Sequence, residues 1–240
     1  MNIADLTKYE KARSSAYKGL AECYHMPGSG LNKTLIELER QLEALGSEAS
    51  PHITLMRSEC IGRGNEIDDL CVDFAKLFVG PYALLAPPYG SVYLDGERKI
   101  MGGSTMDVRI RYANAGLELS AHFKEPPDHI AAELEFMHFL IFKEIEATLR
   151  YDMDRTIKYL DQQEAFLENH LAAWVPQFAR HVVENANTDF YKHLAQATDL
   201  FIKHEYDHIL ACTSRSCDVE IQSQKEEIWT QALSPVEVWE

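Results

Sequence analysis

Apolar side chains recur every three or four residues through nearly the whole of this chain, interrupted at only a few prolines and glycines. That period restricts it to packed helices. Leu31, Leu35, Leu38, Leu42 and Leu45 step alternately by four and three until Gly46. Ile67, Leu70, Cys71, Phe74, Leu77 and Phe78 form a second face closed by Gly80-Pro81, and Ile130, Leu134, Met137, Leu140, Ile141 and Ile145 form a third. A first helix is expected from a capping box at Thr7 and Glu10 to the stop at Pro27-Gly28-Ser29-Gly30. Further helices are expected from Asp154 to Trp174, from Pro176 as a first-turn residue to Glu184, and from Thr188 to Cys212. After Gly102-Gly103, Ser104 stands where a helix cap is needed, with Asp107 three residues on. The short apolar stretch from Ile53 to Cys60 fits either class, but no alternating strand pattern competes elsewhere, so the expected fold class is all-α.

Charge and cysteine usage narrow the partners. The 38 acidic against 23 basic side chains give a formal charge of -15, which opposes non-specific attraction to nucleic acid or anionic lipid. The same sign favours a basic peptide. Five cysteines scattered at Cys23, Cys60, Cys71, Cys212 and Cys217 do not resemble a secreted disulfide framework. The opening residues, from Met1 to Glu10, have neither a basic region nor an apolar run, and no segment approaches the roughly 18 apolar residues of a spanning helix. The expectation is a cytoplasmic protein with no stable membrane insertion.

One stretch departs from the period. From Pro81 to Tyr93 the chain is apolar and aromatic, yet Pro81, Pro87 and Pro88 forbid a regular helix. A segment too apolar for a solvated loop must pack into the core or line a groove.

That middle region carries a family resemblance. Phe74-Ala75-Lys76-Leu77-Phe78-Val79-Gly80-Pro81 resembles the aromatic-x-x-Leu-Phe-x-Gly-Pro pattern of the TorD/DmsD/NarJ family of redox-enzyme maturation chaperones. Ala86-Pro87-Pro88-Tyr89-Gly90-Ser91-Val92-Tyr93-Leu94-Asp95, Gly102-Gly103-Ser104-Thr105 and Pro126-Pro127-Asp128-His129 follow in that family's order and approximate spacing. Glu133-Leu134-Glu135-Phe136-Met137 and His170-Leu171-Ala172-Ala173-Trp174-Val175-Pro176-Gln177-Phe178 extend the likeness, which runs from about Tyr9 to Ile209. Tyr89 stands where many members carry Trp.

The resemblance implies a TorD-like helical bundle of two subdomains, 1–125 and 126–212, hinged near Pro126-Pro127-Asp128-His129, with 213–240 as a tail of unassigned structure. It implies a chaperone rather than an enzyme, with no cofactor of its own. The implied partner is the twin-arginine signal peptide, and the body, of a molybdopterin-dependent oxidoreductase. Some members bind guanine nucleotide, but this chain has no Gly-x-x-x-x-Gly-Lys loop for it. Two guanidiniums followed by an apolar run call for carboxylates beside an aromatic cleft. The expected signal-binding residues are Asp128, His129, Tyr89, Pro88, Leu77, Phe78, Tyr93 and Gly102. Asp128 also follows two prolines and is expected to cap the next helix; Phe74, Leu77 and Phe78 lie at core spacing; Gly102 suits a turn with positive φ.

A rival pattern lies downstream. His204-Glu205-Tyr206-Asp207-His208 spells the zinc-hydrolase sequence His-Glu-x-x-His, and Cys212 and Cys217 add potential ligands to His204 and His208. The charged Asp207 and the lack of an identifiable third ligand argue against a peptidase, so no metal is expected, and the remaining alternative is a helical scaffold for some other partner.

Overall fold

The computed structural model describes residues 3–62, 67–80, 84–96, 100–118 and 124–232, with side chains between 5 and 212. Within these, the chain is helical and no strand forms. The elements are α1 (Ile3–Cys23), α2 (Leu31–Ala44), α3 (Ser50–Gly62), α4 (Asp68–Phe74), α5 (Ser91–Leu94), α6 (Gly103–Asn114), α7 (Ile130–Leu149), α8 (Met153–Phe166), α9 (Ala172–Asn185) and α10 (Asp189–Ala232). Among the described residues no helix is long and apolar enough to cross a membrane.

Helices α1 and α7 pack along each other, and α10 closes the other side against α9, α3 and α8. The core is continuous through these contacts. It runs from Tyr17 and Leu20 of α1 and Tyr24 just after it to Leu134 and Met137 of α7, Trp174 and Phe178 of α9, and Tyr191 and Phe201 of α10. Leu134 and Met137 lie on the apolar face that the sequence period marks out for α7.

Several helix ends fall elsewhere than expected, for identifiable reasons. Thr7 and Glu10 lie inside α1, which begins at Ile3, so they form no capping box; both are buried. The stretch 53–60 is helical, with Ile53, Met56 and Cys60 buried. Gly102 is the cap position of α6, and its first-turn donors are satisfied from outside: the Asp95 carboxylate accepts from Ser104 N at 3.1 Å and from Ser104 Oγ at 2.9 Å. Pro176 sits inside α9 rather than at a helix start. A π turn, Leu167–Leu171, precedes α9 directly, and such a widened turn takes up the distortion around a proline that lacks an N–H. A second π turn, Ala75–Val79, continues α4 and ends at Gly80, whose φ of 77° turns the chain sharply. Helix α10 runs beyond Cys212 to Ala232, so much of the tail is helical, while 233–240 lie outside the described residues.

Candidate functional site

The irregular segment folds as a strap over the start of α7. Two prolines in succession keep the backbone extended, and this one meets the equally extended His129: Tyr89 and His129 form an isolated antiparallel bridge. Gly90 N donates to Asp128 O at 2.9 Å, and Ile130 N donates to Pro88 O at 2.9 Å. Upstream, Ala86 N donates to Leu77 O at 3.2 Å. Pro81 lies outside the described residues.

Side chains lock the strap from both sides. The Tyr89 ring meets His129 edge-on at 5.6 Å, and its hydroxyl donates to Glu125 at 2.7 Å. Tyr93 stacks on Trp174 at 5.5 Å, and its hydroxyl donates to Pro87 O at 2.9 Å. Of the expected site, Asp128, His129, Pro88, Tyr89 and Tyr93 are therefore brought together. Leu77 and Phe78 belong to the core beneath, Phe78 against Tyr24, Phe178 and Tyr191. Gly102 lies at the strap's far end, beside Asp95. Its φ is -88°, so no left-handed turn requires glycine there; a Cβ would run into the Asp95 carboxylate.

Asp128 is not the cap of α7. That role belongs to His129, whose Nδ1 accepts from Ala131 N at 3.2 Å. Asp128 is fully buried, and its Oδ2 accepts from Ser91 N at 2.7 Å, so it caps the four-residue α5 across 37 positions of sequence. The bridge explains the exchange: with residue 129 extended, its own side chain is the one that reaches the first free N–H groups of α7.

His129 is 7% exposed, and burial, reinforced by nearby His25, pushes its imidazole down to about 4 although Glu125 and Asp128 favour its charge. A base held below its unfolded value of about 6.5 contributes stability that is complete above that pH and lost as pH falls toward 4. The histidine should account for about 2 kcal/mol of stability lost between pH 7 and pH 5. His129→Asn keeps an acceptor for Ala131 N but cannot titrate, so urea unfolding at the two pH values should show a loss smaller by that amount. Equal losses in both proteins would count against this reading.

Beneath the strap lies a carboxylate that sequence reasoning did not single out. Glu133 is fully buried on the first turn of α7. Its Oε2 accepts from Trp174 Nε1 at 2.9 Å, while its Oε1 has no partner in the structure. Burial raises its carboxyl well above the usual range, and the nearby Asp128 charge adds to this against the Trp174 hydrogen bond. The signal was present in sequence: a glutamate on the Ile130, Leu134, Met137 face, where an apolar residue belongs. Asp128 Oδ1, Ser91 Oγ, Thr105 Oγ1 and His170 Nδ1 are likewise buried without partners. His170 Nε2 instead pairs with Asp107 Oδ2 at 2.7 Å.

The zinc-like sequence resolves differently. Glu205 is fully buried and accepts from Arg13 Nε at 2.8 Å, so it is turned into the core and away from any water a metal would hold. His208 Nε2 lies 3.8 Å from Glu10 and 3.7 Å from Cys212 Sγ. Burial works against the His208 charge, yet Cys212 and Glu10 raise it to about 9. Among the described residues no three potential ligands converge, and the Cys217 side chain lies outside them.

Comparison with known proteins fits these blocks. A family model described as nitrate reductase delta subunit matches residues 37–180. The chain is 28% identical over 179 residues to the chaperone protein TorD of Psychrobacter sp. (strain PRwf-1), covering 70% of this chain and 77% of that protein. It is 31% identical over 125 residues to the Tat proofreading chaperone DmsD of Salmonella typhi, covering 52% and 54%. It is 27% identical over 208 residues to the perchlorate reductase assembly chaperone protein of Dechloromonas aromatica (strain RCB), covering 83% and 90%. Among solved structures, a protein from Archaeoglobus fulgidus described as a redox enzyme maturation protein superposes with a TM-score of 0.50 at 21% identity, over 79% of this chain and 93% of its own.

Proposed function

Since this chain belongs to the TorD/DmsD/NarJ family of redox-enzyme maturation chaperones, a family of non-enzymatic proteins, we propose that it binds the twin-arginine signal peptide of a molybdopterin-dependent oxidoreductase in the cytoplasm and holds it until the cofactor is inserted. The observation that carries this reading is the strap from Pro87 to Tyr93. It lays an apolar, aromatic segment directly over Asp128, in a chain whose net charge of -15 attracts a basic peptide. Residues 1–125 and 126–212 are the two subdomains of this proposal, hinged at Pro126–His129, with the strap supplied by the first and the carboxylate by the second. Exposed Glu125, already joined to Tyr89, gives an approaching arginine its first anionic contact.

The test is titration calorimetry with a synthetic peptide carrying paired arginines and an apolar run. The wild-type protein should bind it. Asp128→Asn keeps an oxygen for Ser91 N and should keep its thermal midpoint within a few degrees, but lose about ten- to hundredfold in affinity with the charge-assisted bond. Wild-type protein that ignores the peptide would end the functional reading. Unchanged affinity in Asp128→Asn would remove this carboxylate from it.

A further inference from the structure

We propose that the strap is a displaceable cover over a two-carboxylate guanidinium site made by Asp128 and Glu133, and that a paired-arginine peptide binds by lifting it; this rests on the function proposed above. Gly90 lies close over Glu133: a Cβ built there would sit 3.2 Å from Glu133 Oε1 and 3.1 Å from Trp174 Nε1, so a side chain at this position would press on both. The strap also occupies the acid it covers, because Ser91 N holds Asp128 Oδ2 in the manner of a ligand's N–H. Asp128 Oδ1, Glu133 Oε1 and Ser91 Oγ, on residues with no exposed surface, have no partner in the structure. Buried acceptors are normally satisfied, and each one left open is costly. Asp128 Oδ1 and Glu133 Oε1 lie together under one removable segment, and with Glu133 ionised they match a donor-rich cation: a guanidinium has five N–H donors and no acceptor.

A proton accompanies this binding. Glu133 faces Asp128 from the hinge, Tyr112 from α6, and Trp174 on α9 with Tyr93 of α5 stacked upon it; His170 lies near Asp128. None of these is a cation that would ionise it. Fully buried, with one neutral donor on Oε2, no partner on Oε1 and no cation among these neighbours, Glu133 is held in the closed site as the neutral acid. Beside a guanidinium it becomes the carboxylate, and its O–H proton passes to solvent.

The experiment is calorimetry of the full chain at pH 7.5 with the paired-arginine peptide in two buffers of different ionisation enthalpy. At that pH a histidine uncovered with the strap stays almost wholly neutral. The wild-type protein should release about one proton per peptide. Glu133→Gln, which keeps an oxygen for Trp174 Nε1, should release none and bind about ten- to hundredfold more weakly. The wild-type measurement decides the matter even if the variant folds poorly: binding without proton release overturns the proposal and leaves the signal-peptide function standing. Failure of the wild type to bind at all removes both.

Discussion

Replacing Arg13 by methionine should cost about 3–5 kcal/mol at pH 7, because it strips the counter-ion from a buried group of acids. Arg13 has no exposed surface. Its guanidinium reaches Glu10 at 2.5 Å, Glu205 at 2.8 Å and Gln163 at 3.3 Å, tying α1 to α10 and α8. Burial alone would raise the Glu10 carboxyl, but Arg13 and His208 outweigh it and hold it low. Glu144, bonded to Gln163, is pushed up to about 7 by burial and by Glu10, with Arg13 opposing. An acid held low in the folded state contributes stability above its unfolded value and loses it as pH falls. The gap between wild type and Arg13→Met should therefore hold from pH 7 down to about 4.5 and narrow below it, for instance at pH 3.5. Adding Glu205→Gln to the variant should recover part of the loss, since the acid left bare is then neutral. Urea unfolding at pH 7 and pH 3.5 measures this, and a penalty below about 1 kcal/mol at pH 7 would show that the network does not hold these helices together.

Trp174→Ala should be comparably severe, at about 3–5 kcal/mol, by a different route. The indole is fully buried, stacked under Tyr93 and tilted against Phe178 at 5.3 Å, and its N–H holds Glu133. Alanine leaves a cavity beneath the strap and a buried acid with neither oxygen satisfied. Trp174→Phe separates the two losses, because it keeps most of the ring and removes only the donor; about 1–3 kcal/mol is expected. If phenylalanine proved as costly as alanine, the hydrogen bond rather than the packing would dominate. If both variants matched the wild type, Trp174 would not anchor the strap.

The helices were readable because each buried stripe is written in residues three and four apart, as in Leu31 to Leu45 or Ile130 to Ile145. The ordered blocks around Leu77, Tyr89, Gly102 and Asp128 carried the family, and the matching family model spans all four. Helix ends were less legible. Asp128, His129 and Ser104 are all competent caps, and choosing among them depends on which backbone is extended and which carboxylate arrives from elsewhere. The expectation of a positive φ at Gly102 failed for the same reason: the glycine accommodates Asp95, seven residues away, which no local rule anticipates.

Sequence alone thus determined the class of fold, the position of its helices and the place where their pattern breaks. These follow from short-range periodicity and from the chemistry of proline. Only the tertiary structure decided that Asp128 faces Ser91, that Glu133 lies unpaired on one oxygen beneath Gly90, and that Glu205 answers Arg13 across 192 positions instead of a metal. A buried charge or polar group must find its partner wherever the packed helices bring one, and that partner's distance along the chain leaves no trace in the local pattern.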